Sequence, residues 1–210
     1  GPVGVVGGAG SLNLFTGSNG SNGAEFRTQA FAGTVLSEIT ALSYNTFAAQ
    51  WNGQQLPYLS LWVDYTGDGV KDDRFFYEPD YSQYISGAFD PAMFTTWQSW
   101  DALAGGWYDE LGLAGAAPGD QVKTLAQLIA AADAASPDGV PTIVNDGIYG
   151  GVRLASGYAS PGDVFDAYVS SFTLNTSSSS GKYDFENVAP DVVYVNAAWA
   201  GTSPGLDPDG

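Results

Sequence analysis

Leu56-Pro57-Tyr58-Leu59-Ser60-Leu61-Trp62-Val63-Asp64 leads through Tyr65-Thr66-Gly67-Asp68-Gly69-Val70-Lys71-Asp72-Asp73 and emerges as Arg74-Phe75-Phe76-Tyr77. In the first part Leu59, Leu61 and Val63 alternate with Tyr58, Ser60 and Trp62, the period of a strand with one face in a core. Arg74–Tyr77 has the composition of a return strand, so the Asp/Gly-rich residues between them read as the loop of a hairpin. A chain organised around such a hairpin is expected to be built of antiparallel sheets.

The same period recurs on both sides. Ala24, Phe26, Thr28 and Ala30 oppose Glu25, Arg27 and Gln29, and Ser37–Phe47 alternates in the same way. Ser11–Phe15 reads as an edge strand. Pro141–Val144, Gly151–Ala155, Val164–Leu174 and, past the Ser177–Ser180 turn, Lys182–Glu186 complete the strand candidates. Glu78–Gly119 reads as a long irregular stretch. Thr124–Ala135 carries the one helical pattern, with Thr124 as N-cap and Leu125, Leu128, Ile129 and Ala132 on one stripe. About nine or ten strands with one short helix near 124–135 predict an all-β fold, a two-sheet antiparallel β-sandwich wound as a jelly roll. Residues 1–10 read as a flexible N-terminal segment and 11–187 as the sandwich domain. Residues 188–210 read as a linker whose strand, Asp191–Val195, leads to a following domain or pairs with a neighbouring copy.

Composition narrows the chemistry. The 210 residues contain no Cys and no His, and 23 Asp+Glu stand against 6 Lys+Arg for a net charge of −17. Zinc sites, Ser-His-Asp and Cys-His catalysis and disulfides are thereby excluded. Such acidity disfavours nucleic acid, and no apolar run is long enough for a helical membrane span, so neither nucleic acid nor membrane insertion is expected. The acid is mostly Asp, which prefers loops and turns, where its short side chain bonds nearby backbone.

Within the hairpin loop, Asp64, Thr66 and Asp68 stand at positions 1, 3 and 5, Gly69 at 6 and Asp72 at 9, a spacing that turns alternate oxygens toward one centre. Position 12 is Phe75 rather than a bidentate Glu, which excludes the helix-loop-helix form. Asp64, Thr66, Asp68, Asp72 and Asp73 are therefore the candidate ligands of a Ca2+ ion, set against an Asp/Gly turn that needs no metal. The second constellation is aromatic. Tyr58 and Trp62 on the strand, with Trp97, Trp100 and Trp107 in the irregular stretch, are candidate platforms for a polysaccharide or surface glycan. Flat rings bind the apolar faces of sugars, although large rings also serve simply as core. No base-and-partner arrangement for catalysis is visible, so a polysaccharide-active enzyme ranks third.

The run from Leu56 into the Asp/Gly loop resembles jelly-roll modules, similar to carbohydrate-binding modules, of large secreted bacterial surface proteins. So do Phe76-Tyr77-Glu78-Pro79, Trp97-Gln98-Ser99-Trp100-Asp101, Gly151-Val152-Arg153-Leu154, Phe165-Asp166-Ala167-Tyr168-Val169 and Tyr183-Asp184-Phe185-Glu186. Val193–Gly201 is similar to the start of a right-handed β-helix region in such proteins. The resemblance implies a module of a longer extracellular, cell-surface protein and supplies no catalytic residues. The expectation is a non-catalytic, calcium-stabilised module for glycan binding or adhesion, with a surface-layer or filament building block as the alternative.

Overall fold

The computed structural model describes residues 10–82, 93–113, 115, 122–147 and 150–185. Residues 1–9 and 186–210, including the Asp191–Val195 strand expected to reach a partner, lie outside the described residues.

Twelve strands are described: β1 (Leu12–Phe15), β2 (Gly23–Thr28), β3 (Ile39–Gln50), β4 (Tyr58–Asp64), β5 (Asp73–Tyr77), β6 (Gln98–Asp101), β7 (Gly106–Asp109), β8 (Lys123–Thr124), β9 (Thr142–Ile143), β10 (Val152–Gly157), β11 (Asp166–Thr176) and β12 (Ser180–Tyr183). A single-turn helix, α1 (Pro79–Ser82), follows β5, and α2 covers Leu125–Ala135. One sheet has the order β1-β11-β3-β6, with β12 also on β11; the other has the order β2-β10-β4-β5-β7-β8, with β9 on β4. All described pairings are antiparallel. The expected two-sheet sandwich is the fold. Strands β1 to β4 alternate between the sheets, each pairing with β11 or β10, so the long late strands lie inside the wrap.

The alternation read from the sequence is the burial pattern. Leu59, Leu61 and Val63 of β4, Phe75 and Tyr77 of β5 and Trp107 of β7 face Leu42 and Tyr44 of β3 and Phe172 and Leu174 of β11 across one core. Burial of each large side chain contributes about 1.5–3 kcal/mol. Tyr44 and Tyr77 meet edge to face across the two sheets at 5.9 Å, and the Tyr44 hydroxyl donates to the Pro57 carbonyl at 3.0 Å. Helix α2 begins where expected. The Thr124 hydroxyl accepts from Gln127 N–H while the Gln127 side chain accepts from Thr124 N–H, closing both ends of a capping box. Leu125, Leu128 and Ala132 turn its apolar stripe inward.

One expectation changes. The stretch read as irregular contains β6 and β7, and these strands carry Trp100 and Trp107 into the core, 2% and 0% exposed. They present no ring face to a ligand.

Candidate functional site

Antiparallel partners point the same way, so the register sorts the outward residues of the larger sheet. Arg27 lies opposite Arg153, Arg153 opposite Ser60, Ser60 opposite Phe76, and Phe76 opposite Tyr108. One row thus crosses β2, β10, β4, β5 and β7 on the face turned away from the core. The next row holds Glu25, Ala155 and Tyr58. Ser60 and Ala155 are small, and the long side chains around them lean together over the strands.

The result is a depression of about 330 Å³, the size of a small-ligand site. Tyr58, Phe76, Tyr108 and Tyr158 give it aromatic walls, and Arg74, Arg153, Glu78 and Gln55 supply polar groups. Phe76 and Tyr108 stack at 4.9 Å with planes 10° apart, and the Arg74 guanidinium lies 4.4 Å over Phe76. Arg153, 7% exposed, donates to the Tyr58 hydroxyl at 2.9 Å and to Glu25 at 3.2 Å.

Tyr158 closes one side and is 51% exposed. Its backbone adopts φ +58°, a left-handed conformation uncommon for a residue with a large side chain, and its hydroxyl donates to Glu25 at 3.2 Å. The ring lies directly over Gly23, where a Cβ would fall 1.9 Å from it. A glycine on β2 and a strained backbone just past the end of β10 therefore combine to hold this ring beside the depression.

The titratable groups are tuned toward hydrogen bonding. Burial pushes the Tyr58 phenol up to about 12, against a smaller opposing effect of Arg153. Burial and the adjacent Glu78 raise Tyr108, whose hydroxyl donates to the Glu78 carboxylate. Burial also raises Glu78 itself, only partly offset by that bond. Burial, then the neighbouring Arg153, lowers Arg74. The phenols are neutral at physiological pH and offer donors and acceptors rather than a base. Glu78 is the one carboxylate among the lining residues described, whereas glycoside hydrolysis ordinarily needs two.

The five aromatic candidates are divided by the fold. Tyr58 lines the depression, and Trp62 shares its face, half-buried, with the Lys71 ammonium 5.5 Å from its ring. Trp97 packs on Phe47 at 5.5 Å beside the other sheet. Trp100 donates to Thr46 Oγ1 at 2.8 Å inside the core, and Trp107 to the Ala102 carbonyl at 2.7 Å. Arg74, Arg153, Glu78, Tyr108 and Tyr158 escaped the sequence reading. Arg153, a charge inside the otherwise apolar or small run Val152–Gly157, was the available signal.

The five metal candidates are divided as well. Asp64 accepts from Gly67 N–H at 2.6 Å and Gly69 N–H at 2.7 Å, and Asp72 accepts from Tyr65 and Thr66 N–H, both at 2.8 Å. The Thr66 hydroxyl lies 3.4 Å from Asp64 Oδ1 and 3.3 Å from Asp72 Oδ1, so these three side chains converge. Asp68 turns to Val70 N–H at 2.8 Å. Asp73 pairs in register with the core residue Val63 and points inward, on the face opposite Asp64, toward Asp109. Among the described residues no cluster of three or more acidic side chains has the geometry to hold a metal ion. Nor is any described helix long and apolar enough to cross a membrane.

Comparison with known protein families, with curated proteins and with solved structures finds no match.

Proposed function

We propose that the protein is a non-catalytic, extracellular glycan-binding module whose contact surface is the outward face of the larger sheet. The observation that carries this reading is the depression lined by Tyr58, Phe76, Tyr108 and Tyr158, where the half-exposed Tyr158 ring stands beside fixed hydrogen-bonding groups. Sugars need that combination, an apolar platform for their C–H faces and oriented partners for their hydroxyls. Titration calorimetry against a panel of soluble oligosaccharides tests it. At least one should bind, and Tyr158→Ala should weaken that binding about tenfold, the loss of a contact worth somewhat more than 1 kcal/mol. Tyr158 is half exposed, so the variant should melt like the parent. Unchanged affinity, or no binding across the panel, would sink the reading.

Calcium at the hairpin belongs to the same proposal as a structural ion. Asp64, Thr66 and Asp72 fit the role in donor chemistry, presenting hard oxygens to one region of the loop. They supply fewer than the six to eight ligands calcium takes, so backbone carbonyls and water would complete the shell. Asp73 is dropped from the ligand set because it faces the other side of the sheet. Added calcium should raise the melting temperature, by the equivalent of about 2.7 kcal/mol at a hundredfold excess over Kd. Chelator should reverse the gain, and an Asp64→Asn/Asp72→Asn variant should not respond. Identical melting with calcium and with chelator would remove the ion.

A further inference from the structure

Basic residues are scarce in this chain, and their placement is uneven. Four of the six Lys+Arg gather on the outward face of the larger sheet or at its edge. Arg27 and Arg153 are cross-strand partners, Arg74 lies beside them on β5, and Lys71 reaches in from the hairpin loop. The acids that accompany them are Glu25 and Glu110 at the rim and Glu78 in the depression. In a molecule with 23 acids and a net charge of −17, the described lining of the depression thus holds two guanidiniums, Arg74 and Arg153, and one carboxylate, Glu78.

These cations are not fully committed to their partners. Arg74 meets Glu110 at 3.5 Å, longer than a charge-assisted hydrogen bond, while the same carboxylate bonds Lys71 at 2.8 Å. The buried Nε–H groups of both Arg74 and Arg153 have no acceptor. Two guanidiniums lining one depression, with the terminal N–H groups of Arg74 only loosely met by Glu110, favour an anion arriving from solution.

We propose that the ligand class of this face is an anionic glycan, its charge carried by uronate carboxylates or sulfate esters, with Arg74 receiving the anion and Arg153 reinforcing it. This rests on the glycan reading above and names its substrate class. The rings would hold the sugar faces while the guanidinium fork selects the charged substituent, which binds through paired N–H donors.

The experiment compares oligogalacturonate with its fully methyl-esterified form, and a sulfated galactan oligomer with its desulfated form, by calorimetry on the intact chain. At least one charged member should bind about tenfold or more tightly than its neutral counterpart, as expected for loss of one charge-assisted contact. Arg74→Gln should bring the charged-to-neutral affinity ratio to about one, whatever the variant does to the absolute affinity for either form. The uronate and sulfate arms identify which anion is taken. Equal affinity for charged and neutral members overturns the anionic class but leaves the glycan reading standing. A preference that survives in Arg74→Gln overturns the assignment to Arg74. Absence of binding to every oligomer, neutral ones included, overturns both. The ester comparison uses the unmodified protein and is therefore independent of how well the variant folds.

Discussion

Trp107→Ala should destabilise the protein by about 3–5 kcal/mol, the usual cost of truncating a large, fully buried aromatic side chain. Trp107 belongs to the short strand β7, and its ring packs at 5.6 Å against Tyr77 of β5 in the core. Helix α2 closes against the same strand, so the space left by the indole cannot fill without moving the helix or the sheet. The variant also loses the indole donor to the Ala102 carbonyl, an acceptor within the turn joining β6 to β7. That carbonyl still accepts from Gly105 N–H at 3.3 Å, so the lost bond adds a further cost of only about 0.5–1.5 kcal/mol. Urea unfolding with a two-state fit should show a lower midpoint at an unchanged slope. Ligand affinity of the folded fraction should be retained, because Tyr108, the next residue, points to the opposite face. A loss under 1 kcal/mol would contradict the core placement. A specific loss of glycan affinity at full stability would return Trp107 to the contact surface.

Much of the architecture was legible because period 2 is a direct consequence of a sheet with one face buried. Strand β4 declared itself through Leu59, Leu61 and Val63, and α2 through its stripe and the Thr124 cap. Strands β6 and β7 did not. Each has four residues, enclosed by turns, and Gln98-Ser99-Trp100-Asp101 offers too few alternations to distinguish a strand from a loop with a tryptophan in it. Missing them inverted the reading of Trp100 and Trp107. Large rings in a presumed loop look like a surface platform, whereas the same rings at inward positions of two strands are core. The site was illegible for a different reason. Tyr58, Phe76, Tyr108 and Arg153 come from four strands, and only the register brings them into adjacent rows. The hairpin loop was the reverse case. Its Asp and Gly spacing is local, so the convergence of Asp64, Thr66 and Asp72 could be foreseen. The inward turn of Asp73 needed knowledge of where β5 begins.

That inward turn has its own consequence, best measured in the presence of chelator. Asp73 and Asp109 are 0% and 4% exposed on the core side of adjacent strands. Asp73 Oδ1 accepts from Arg74 N–H at 2.6 Å and Glu110 N–H at 3.1 Å, and Asp109 Oδ2 accepts from Leu113 N–H at 2.6 Å. The remaining oxygens, Asp73 Oδ2 and Asp109 Oδ1, are buried without a donor. Arg74 points to the other face of the sheet and provides no counter-charge here. Tyr65, itself raised by burial and then by Asp72, Asp73 and Asp109, faces the same negative region. Burial above all, with the bond and charge of Asp109 added, pushes Asp73 from 3.8 up to about 7. The folded protein therefore keeps a proton that the unfolded chain releases. Its stabilising contribution is complete below about pH 4 and disappears as pH rises toward 7, a change on the order of 4 kcal/mol for a shift of this size. Other groups, among them Glu110, whose pKa is lowered chiefly by Lys71, give the opposite slope, so the informative quantity is a difference between proteins. Asp73→Asn keeps an acceptor for the two backbone N–H groups and gives Asp109 a permanent donor. Its stability relative to the parent should be near zero at pH 4 and should grow by several kcal/mol up to pH 8, on the order set by that shift. A difference that stays flat between those limits would show that the two carboxyls do not share a proton across the strands.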